Sequence, residues 1–174
     1  APSGCRPLGF ARSFPETRIV ALGVPIGAVA AIPPTPNPTS TAIYKTLISL
    51  KAGNAIVISP HPRAKACSCA TAAVLQQAAE RAGAPIGLVQ CVGNSTLEGT
   101  NALMKHRRTG VILSTGGGGM VRAAYSSGKP AFGVGPGNVP VLIDKSADIE
   151  EAVGKVVEGK ACDFGTLCAS EQAI

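Results

Sequence analysis

Residues 111–120 read Val111-Ile112-Leu113-Ser114-Thr115-Gly116-Gly117-Gly118-Gly119-Met120. An apolar run leads through Ser114 and Thr115 into four glycines and then into a helical pattern, so the stretch predicts a strand over 111–114, a tight turn and a helix over 120–126. Backbone amides without a Cβ beside them can approach a phosphate group closely, and the start of a helix favours an anion. The stretch is therefore typical of an α/β nucleotide site, although a purely structural turn would show the same pattern.

The same alternation of strands and helices extends on both sides of this stretch. Upstream, short apolar runs predict strands at residues 18–22, 26–32, 55–59 and 88–92. Helical patterns lie between and after them, at residues 39–50, 64–81 and 97–105. Downstream, strands are predicted at 131–134 and 139–143 and a helix at 149–160. Short connections between alternating elements indicate a doubly wound, mostly parallel, Rossmann-like sheet.

Two ends of the predicted helices have specific interpretations. Thr39 is predicted to cap the helix over 39–50, whose apolar face would be Ile43, Leu47 and Leu50. The first 16 residues show no period and are predicted to be loop. The basic cluster at 105–108 is predicted to be a solvated helix end, because cations there complement the helix dipole.

Composition excludes several classes of function. The chain has 174 residues, 45% of them hydrophobic but only 3% aromatic, and a formal charge of +6. Because the basic residues have no aromatic side chains among them, no nucleic-acid partner is expected. No apolar run is long enough for a membrane span, so no membrane partner is expected either.

The six cysteines do not form a metal-binding pattern. They are Cys5, Cys67, Cys69, Cys91, Cys162 and Cys168. Their spacing does not match a zinc site and only two histidines are present, so no metal is expected. Cys67 and Cys69 are predicted to pack against small residues in a helix. Reduced thiols are expected, and they favour a cytoplasmic location.

Two distant segments predict carbonyl chemistry. Cys168 lies among small and polar residues beyond the helix over 149–160, and a thiolate is the strongest side-chain nucleophile near neutral pH. Asn37 stands between prolines ahead of a helix, where its amide could donate to an oxyanion. Cys168 and Asn37 are therefore the predicted catalytic residues.

Six blocks of sequence resemble the aldehyde dehydrogenase superfamily, and within it the CoA-acylating branch that includes the aldehyde dehydrogenase half of bifunctional aldehyde-alcohol dehydrogenases. In chain order they are Asn37-Pro38-Thr39-Ser40-Thr41, Ser59-Pro60-His61-Pro62-Arg63-Ala64-Lys65, Thr115-Gly116-Gly117-Gly118-Gly119-Met120-Val121, Ala124-Tyr125-Ser126-Ser127-Gly128-Lys129-Pro130, Gly133-Val134-Gly135-Pro136-Gly137-Asn138 and Cys168-Ala169-Ser170-Glu171-Gln172.

The resemblance implies a nucleotide-binding domain over residues 1–143 and a connecting helix with the start of a catalytic domain over 144–174. Members of the family are much longer, so the chain is expected to be a fragment of a homo-oligomeric enzyme. Thr115, Gly116 and Gly117 would face the phosphates of the nicotinamide cofactor. Ser59 and His61 would touch its ribose, although a solvated histidine fits position 61 equally well. Arg63 and Lys65 stand nearby, so NADP remains an alternative to NAD.

The segment over 132–138 distinguishes the two branches of the superfamily. Hydrolytic members carry a glutamate there that activates water, whereas this chain has no acidic residue in the segment. The resemblance therefore implies an acyl thioester on Cys168 that coenzyme A, the co-substrate, releases as acyl-CoA. Glu171 is expected to be structural, and Cys162 is expected to pack.

Two other functions stay open at this point. A hydrolytic aldehyde dehydrogenase would use a base from a region outside this chain and would give a free acid. A catalytically silent nucleotide-binding module would bind the cofactor without turnover.

Overall fold

The computed structural model describes residues 8–174, apart from the side chain of Phe10, and Cys5 lies outside that range. The chain divides into two compact units, the first ending at Val134 and the second spanning Gly135–Ile174. This division comes earlier than the predicted boundary after residue 143. The roles assigned to the two predicted domains stay predictions.

The first unit is built on a five-stranded parallel sheet with the strand order β5-β4-β3-β6-β7. Its strands are β3 (Ala28–Ile32), β4 (Ala55–Ile58), β5 (Val89–Cys91), β6 (Thr109–Thr115) and β7 (Ala131–Val134). Its helices are α1 (Pro38–Lys51), α2 (Lys65–Arg81), α3 (Leu97–Lys105) and α4 (Gly118–Tyr125). The doubly wound parallel sheet predicted from the sequence is confirmed.

The sheet has an apolar core on each face, which explains why its strands are continuous apolar runs. On one face Val29, Ala31 and Ile56 pack against Ala42 of α1 and Ala72 of α2. On the other face the buried side chains include Ala30, Ile32 and Ile112, together with Met104 of α3 and Ala124 of α4. Alternate residues of one strand therefore serve opposite layers of helices.

The predicted buried face of α1 is wrong. Ala42, Lys45, Thr46 and Ser49 are the buried residues of this helix, whereas Ile43 and Leu47 are exposed. Leu50, the third predicted member, is partly buried against the core. The sheet face opposite α1 carries bulky side chains such as Val29 and Ile56, and Ala42 of the small-residue helix face packs against them.

The prediction of a boundary or loop over the first 16 residues is wrong for residues 9–14, while residues 1–7 lie outside the described range. Strand β1 (Gly9–Phe14) pairs antiparallel with β2 (Ile19–Gly23) in a separate two-stranded ribbon. The backbone N–H of Thr17 donates to the Phe14 carbonyl at 3.1 Å and closes the turn between them. The ribbon is formed by hydrogen bonds across the two strands, and these leave no periodic signature in the sequence of β1.

Helix starts differ from the sequence expectation at two places. Asn37, not Thr39, occupies the N-cap position of α1, while the Thr39 hydroxyl lies 2.8 Å from Cys67 Sγ. Helix α4 begins at Gly118, so the last two glycines of the run form its first turn. As predicted, the cluster at 105–108 is exposed at the end of α3.

The expectation of reduced, packed cysteines is wrong for one pair. Cys69 of α2 and Cys91 of β5 form a disulfide across 22 residues of sequence. The pairing depends on α2 lying over β5, which brings the two side chains together. Cys67, two residues from Cys69, is free and exposed.

The second unit contains β8 (Val139–Pro140), α5 (Ile149–Ala161) and β9 (Glu171–Ala173). Strand β8 is shorter than the predicted 139–143, because its parallel partner β9 has only three residues. Asp148 caps α5 by accepting a hydrogen bond from the Glu151 N–H at 3.0 Å. A 3₁₀ helix, Cys162–Gly165, follows α5 directly.

Candidate functional site

The order of strands in the first unit creates a crevice between β3 and β6. From β3 the chain winds through α1 and α2 toward β5, and it then crosses to the other side of β3 to form β6 and β7. The loops that leave β3 and β6 therefore diverge, and the carboxyl edge beside such a switch point is where α/β sheets bind ligands. Ile32 pairs with Ser114, so the two strands end at the same level.

Asn37 lies on the β3 side of this switch point, at the end of a loop that contains three prolines. It has φ −136° and ψ 62°, is partly exposed, and makes no capping hydrogen bond with its side chain. Pro38 occupies the first turn of α1 and supplies no N–H of its own. The Asn37 amide is therefore not engaged in capping the helix it precedes.

The glycine loop, residues 115–118, lies on the β6 side. The Gly116 N–H donates to the Val134 carbonyl at 3.0 Å and extends the ladder between β6 and β7. Within the described chain, no atom lies within 4 Å of where a Cβ would stand at Gly117 or Gly119. Neither residue has a positive φ, so neither turn geometry nor packing requires glycine there. The bare backbone leaves open space at the start of α4, which favours the binding interpretation over a purely structural turn.

Ser59 and His61 follow β4 at the same edge of the sheet but differ in accessibility. Ser59 is 1% exposed, and its hydroxyl lies 2.8 Å from the Thr100 hydroxyl of α3. His61 is exposed, and its Nδ1 accepts from the Arg63 N–H at 3.2 Å at the start of the 3₁₀ helix Pro62–Ala64. Of the two predicted ribose contacts, His61 is the accessible one, while the Ser59 hydroxyl is engaged inside the protein.

Lys45 is the residue that sequence reasoning missed. It is 5% exposed, and its Nζ donates to the carbonyls of Ile32 at 2.9 Å and Leu113 at 2.7 Å. Burial lowers the pKa of this lysine from 10.5 to about 7. The only sequence signal was its spacing: Lys45 falls one helical turn from Ala42 and Ser49, on the small-residue face of α1.

Cys168 belongs to the second unit, in an exposed turn between the 3₁₀ helix Cys162–Gly165 and β9. Three successive residues with positive φ precede this turn, Asp163 (48°), Phe164 (54°) and Gly165 (66°), so the segment Cys162–Gly165 is not a regular 3₁₀ helix. A Cβ at Gly137 would lie 2.6 Å from the carbonyl oxygen of Cys168. The backbone of the turn at Cys168, called here the nucleophile turn for the role predicted for Cys168, therefore packs directly against Gly137.

Two neighbours of Cys168 have distinct surroundings. Cys162 is free and exposed, so the prediction that it packs is wrong. The Glu171 carboxylate lies against Gly159 of α5, and its Oε2 is buried without a hydrogen-bond partner among the described residues. Glu171 is thus enclosed by the packing of β9 on α5.

Wider features of the described residues add two findings. Across residues 8–174, no three histidine, cysteine, aspartate or glutamate side chains gather as a metal site would need. No helix in this range combines the length and apolar character that crossing a membrane requires.

Comparison with known proteins places this arrangement in a family. The family model "Aldehyde dehydrogenase family" matches residues 8–174. Over 155 residues, covering 89% of this chain and 17% of that protein, the chain is 54% identical to the bifunctional aldehyde-alcohol dehydrogenase AdhE of Escherichia coli K12.

Solved structures agree with the family model. The crystal structure of an acetylating aldehyde dehydrogenase from Geobacillus thermoglucosidasius matches with a TM-score of 0.89 and 55% identity, over 97% of this chain and 37% of that one. Rhodopseudomonas palustris propionaldehyde dehydrogenase with bound propionyl-CoA matches with a TM-score of 0.81 and 40% identity, over 87% and 34%. The chain thus spans well under half the length of these relatives. It belongs to the aldehyde dehydrogenase family.

Proposed function

We propose that the full-length protein is a CoA-acylating aldehyde dehydrogenase that converts an aldehyde and coenzyme A into acyl-CoA, reversibly, with a nicotinamide cofactor as oxidant. The observation that carries the proposal is the segment over 132–138, which contains no carboxylate to activate water. The names of two similar structures, an acetylating enzyme and one with bound propionyl-CoA, support the same branch.

The reaction begins at Cys168, whose thiolate adds to the aldehyde carbonyl and forms a thiohemiacetal. The side-chain amide of Asn37, which makes no capping hydrogen bond to α1, donates to the resulting oxyanion together with the Cys168 backbone N–H. The bound nicotinamide supplies a hydride acceptor, and loss of hydride from the thiohemiacetal leaves an acyl thioester on Cys168. The thiolate of coenzyme A then attacks that thioester, releases acyl-CoA and restores the cysteine.

The cofactor residues of the proposal lie at the carboxyl edge of the sheet in the first unit. Thr115, Gly116 and Gly117 line the diphosphate site, because the loop is open and the start of α4 offers amides beyond Gly116, whose own N–H is donated to Val134. His61 contacts the ribose, and Ser59 supports the strand end from inside. Arg63 and Lys65 are exposed beside His61, so NADP is the alternative to NAD in this proposal. In this proposal residues 1–143 bind the nucleotide and residues 144–174 begin the catalytic domain.

The decisive experiment measures the requirement for coenzyme A. Full-length protein, an aldehyde and NAD should give steady NADH formation only when coenzyme A is present, with a thioester product by mass spectrometry. Cys168→Ala should abolish the thioester and retain cofactor binding, whereas Cys162→Ala, a matched exposed cysteine, should keep most activity. Rapid free-acid formation without coenzyme A would instead establish the hydrolytic alternative, and binding without any turnover would establish the silent module.

The glycine loop has a separate test. Gly117→Val should weaken NADH binding in a fluorescence titration, because its side chain would occupy the open space where the diphosphate is proposed to lie. Gly154→Val is the control, since Gly154 of α5 also has an open Cβ position but does not stand at the carboxyl edge of the sheet. Equal affinity of both variants would remove the loop from the site.

We also propose a cytoplasmic location and a homo-oligomeric full-length form. The Cys69–Cys91 pair makes the location testable by alkylation in intact cells with and without prior reduction. Reduced thiols at both positions would support a cytoplasmic location, and a persistent disulfide would contradict it. Size-exclusion chromatography with light scattering reports the oligomer.

A further inference from the structure

We propose that Lys45 is a positioning residue that joins the Asn37 loop to the glycine loop beneath the switch point and supplies a positive charge there that strengthens cofactor binding. The inference rests on the proposed function, since it concerns the residues assigned to that site. It adds a residue that neither the motifs nor the resemblance pointed to.

The geometry of the contact places Lys45 between the two loops. Its Nζ donates to the carbonyl of Ile32, the last residue of β3, and to the carbonyl of Leu113, two residues before the end of β6. These strands are neighbours in the sheet, with Ala31 paired to Leu113. One side chain therefore ties together the two strand ends from which the Asn37 loop and the glycine loop emerge.

The residues after Ile32 explain why this donor matters. Pro33, Pro34 and Pro36 have no N–H, so the loop that follows β3 offers few backbone donors of its own. A buried carbonyl without a donor costs about 1–3 kcal/mol. Lys45 reaches the end of the β3–β6 ladder from α1 and satisfies a carbonyl on each strand.

The surroundings of Lys45 provide no compensating carboxylate. Strands β3, β4 and β6 contain no ionisable side chain. The ionisable residues of α2, which packs against α1, are Lys65, Cys67, Glu80 and Arg81, all at least partly exposed. On α1 itself they are Tyr44 and Lys51. Burial alone accounts for the lowered pKa, which makes the charge state sensitive to pH near neutrality.

The charge state has a direct consequence for an anionic ligand. The protonated amine has three donors and a full charge, whereas the neutral amine keeps two donors and no charge. Below pH 7 the cation lies beneath the strand end that leads to the glycine loop, the proposed site of the cofactor diphosphate, and it attracts that anion. As pH rises through about 7, that attraction is lost while the two hydrogen bonds persist in weaker form.

The test compares the pH dependence of NADH affinity in full-length wild-type protein, Lys45→Arg and Lys45→Met, by fluorescence titration between pH 6 and 8.5. The wild-type affinity should fall about threefold to tenfold across this range, because one cation is lost near an anionic ligand. Lys45→Arg should remain flat, since arginine does not release its proton in this range. Lys45→Met should be flat and weaker at pH 6. Lys105→Met, an exposed lysine at the end of α3, should keep the wild-type profile.

Catalysis gives a second readout that separates this inference from the proposed function. If the wild-type protein shows CoA-dependent turnover, Lys45→Met should lower its kcat about tenfold, because the Asn37 loop and the glycine loop are displaced. If turnover is absent but the pH profiles differ as expected, the proposed function fails and the role of Lys45 in binding stands. A flat wild-type profile, or a folded Lys45→Arg with the wild-type profile, would overturn the inference even if Lys45→Met does not fold.

Discussion

Gly137→Ala should damage the nucleophile turn without touching the cofactor site. An added Cβ would stand 2.6 Å from the carbonyl oxygen of Cys168, whereas an ordinary contact begins at 3.4 Å. The backbone of the turn must therefore move by about 0.8 Å, and a displacement near 1 Å at a reacting group costs up to about a hundredfold in rate. We expect the rate of thioester formation on Cys168 to fall roughly tenfold to a hundredfold.

The assay for this variant is rapid-quench measurement of acyl-enzyme formation in full-length protein, with NADH affinity measured separately by fluorescence. Gly135→Ala is the matched control, because Gly135 lies in the same segment and a Cβ there meets no described atom within 4 Å. NADH affinity should be unchanged in both variants. An acylation rate for Gly137→Ala within about twofold of the Gly135→Ala rate would refute the view that the close backbone contact positions Cys168.

Two further predictions concern stability. Gly110→Ala would drive its Cβ into the Ile26 carbonyl and should lower the free energy of unfolding by about 1–3 kcal/mol in urea titrations, while Gly93→Ala, with open space, should not. Lys45 keeps its proton up to pH 10.5 when unfolded but only to about 7 when folded, so the unfolded state binds the extra proton between these values. The stability of the wild-type protein should therefore rise with pH across this window, by at most about 5 kcal/mol, relative to Lys45→Met. Urea titrations of the wild-type protein and Lys45→Met from pH 7 to 10 measure this. A constant difference between their free energies of unfolding would contradict the prediction.

The core of the fold was predictable because its strands are buried on both faces. Residues 55–58 and 111–113 are continuous apolar runs, and such runs identify parallel strands without any knowledge of their partners. Strand β1 was missed since it is held by its pairing with β2 and contains charged and polar residues. Its only local signal, the turn between the two strands, is too weak to define a ribbon.

The candidate site divides along a similar line. Asn37, the glycine run and Cys168 were predicted as site residues because their residue types are unusual in their local context, and their roles stay predictions. Lys45 was missed because its role depends on carbonyls 13 and 68 residues away in sequence. The Cys69–Cys91 disulfide was missed for the same reason, since it requires α2 to lie over β5. Interactions that join distant segments become visible only when the segments are packed.

The proline-rich loop before α1 has a consequence for the thermodynamics of ligand binding. The ring of proline fixes φ near −65° at four positions around Asn37, which are Pro33, Pro34, Pro36 and Pro38. The backbone of this loop therefore has little conformational entropy to lose when a ligand binds. A ligand that meets the Asn37 amide has to order one short side chain, at about 0.5–1.5 kcal/mol, instead of a mobile segment. Calorimetry of a Pro36→Ala variant should therefore show a larger entropic penalty when the ligand binds. This effect is expected although the Pro36 side chain donates no hydrogen bond to the ligand.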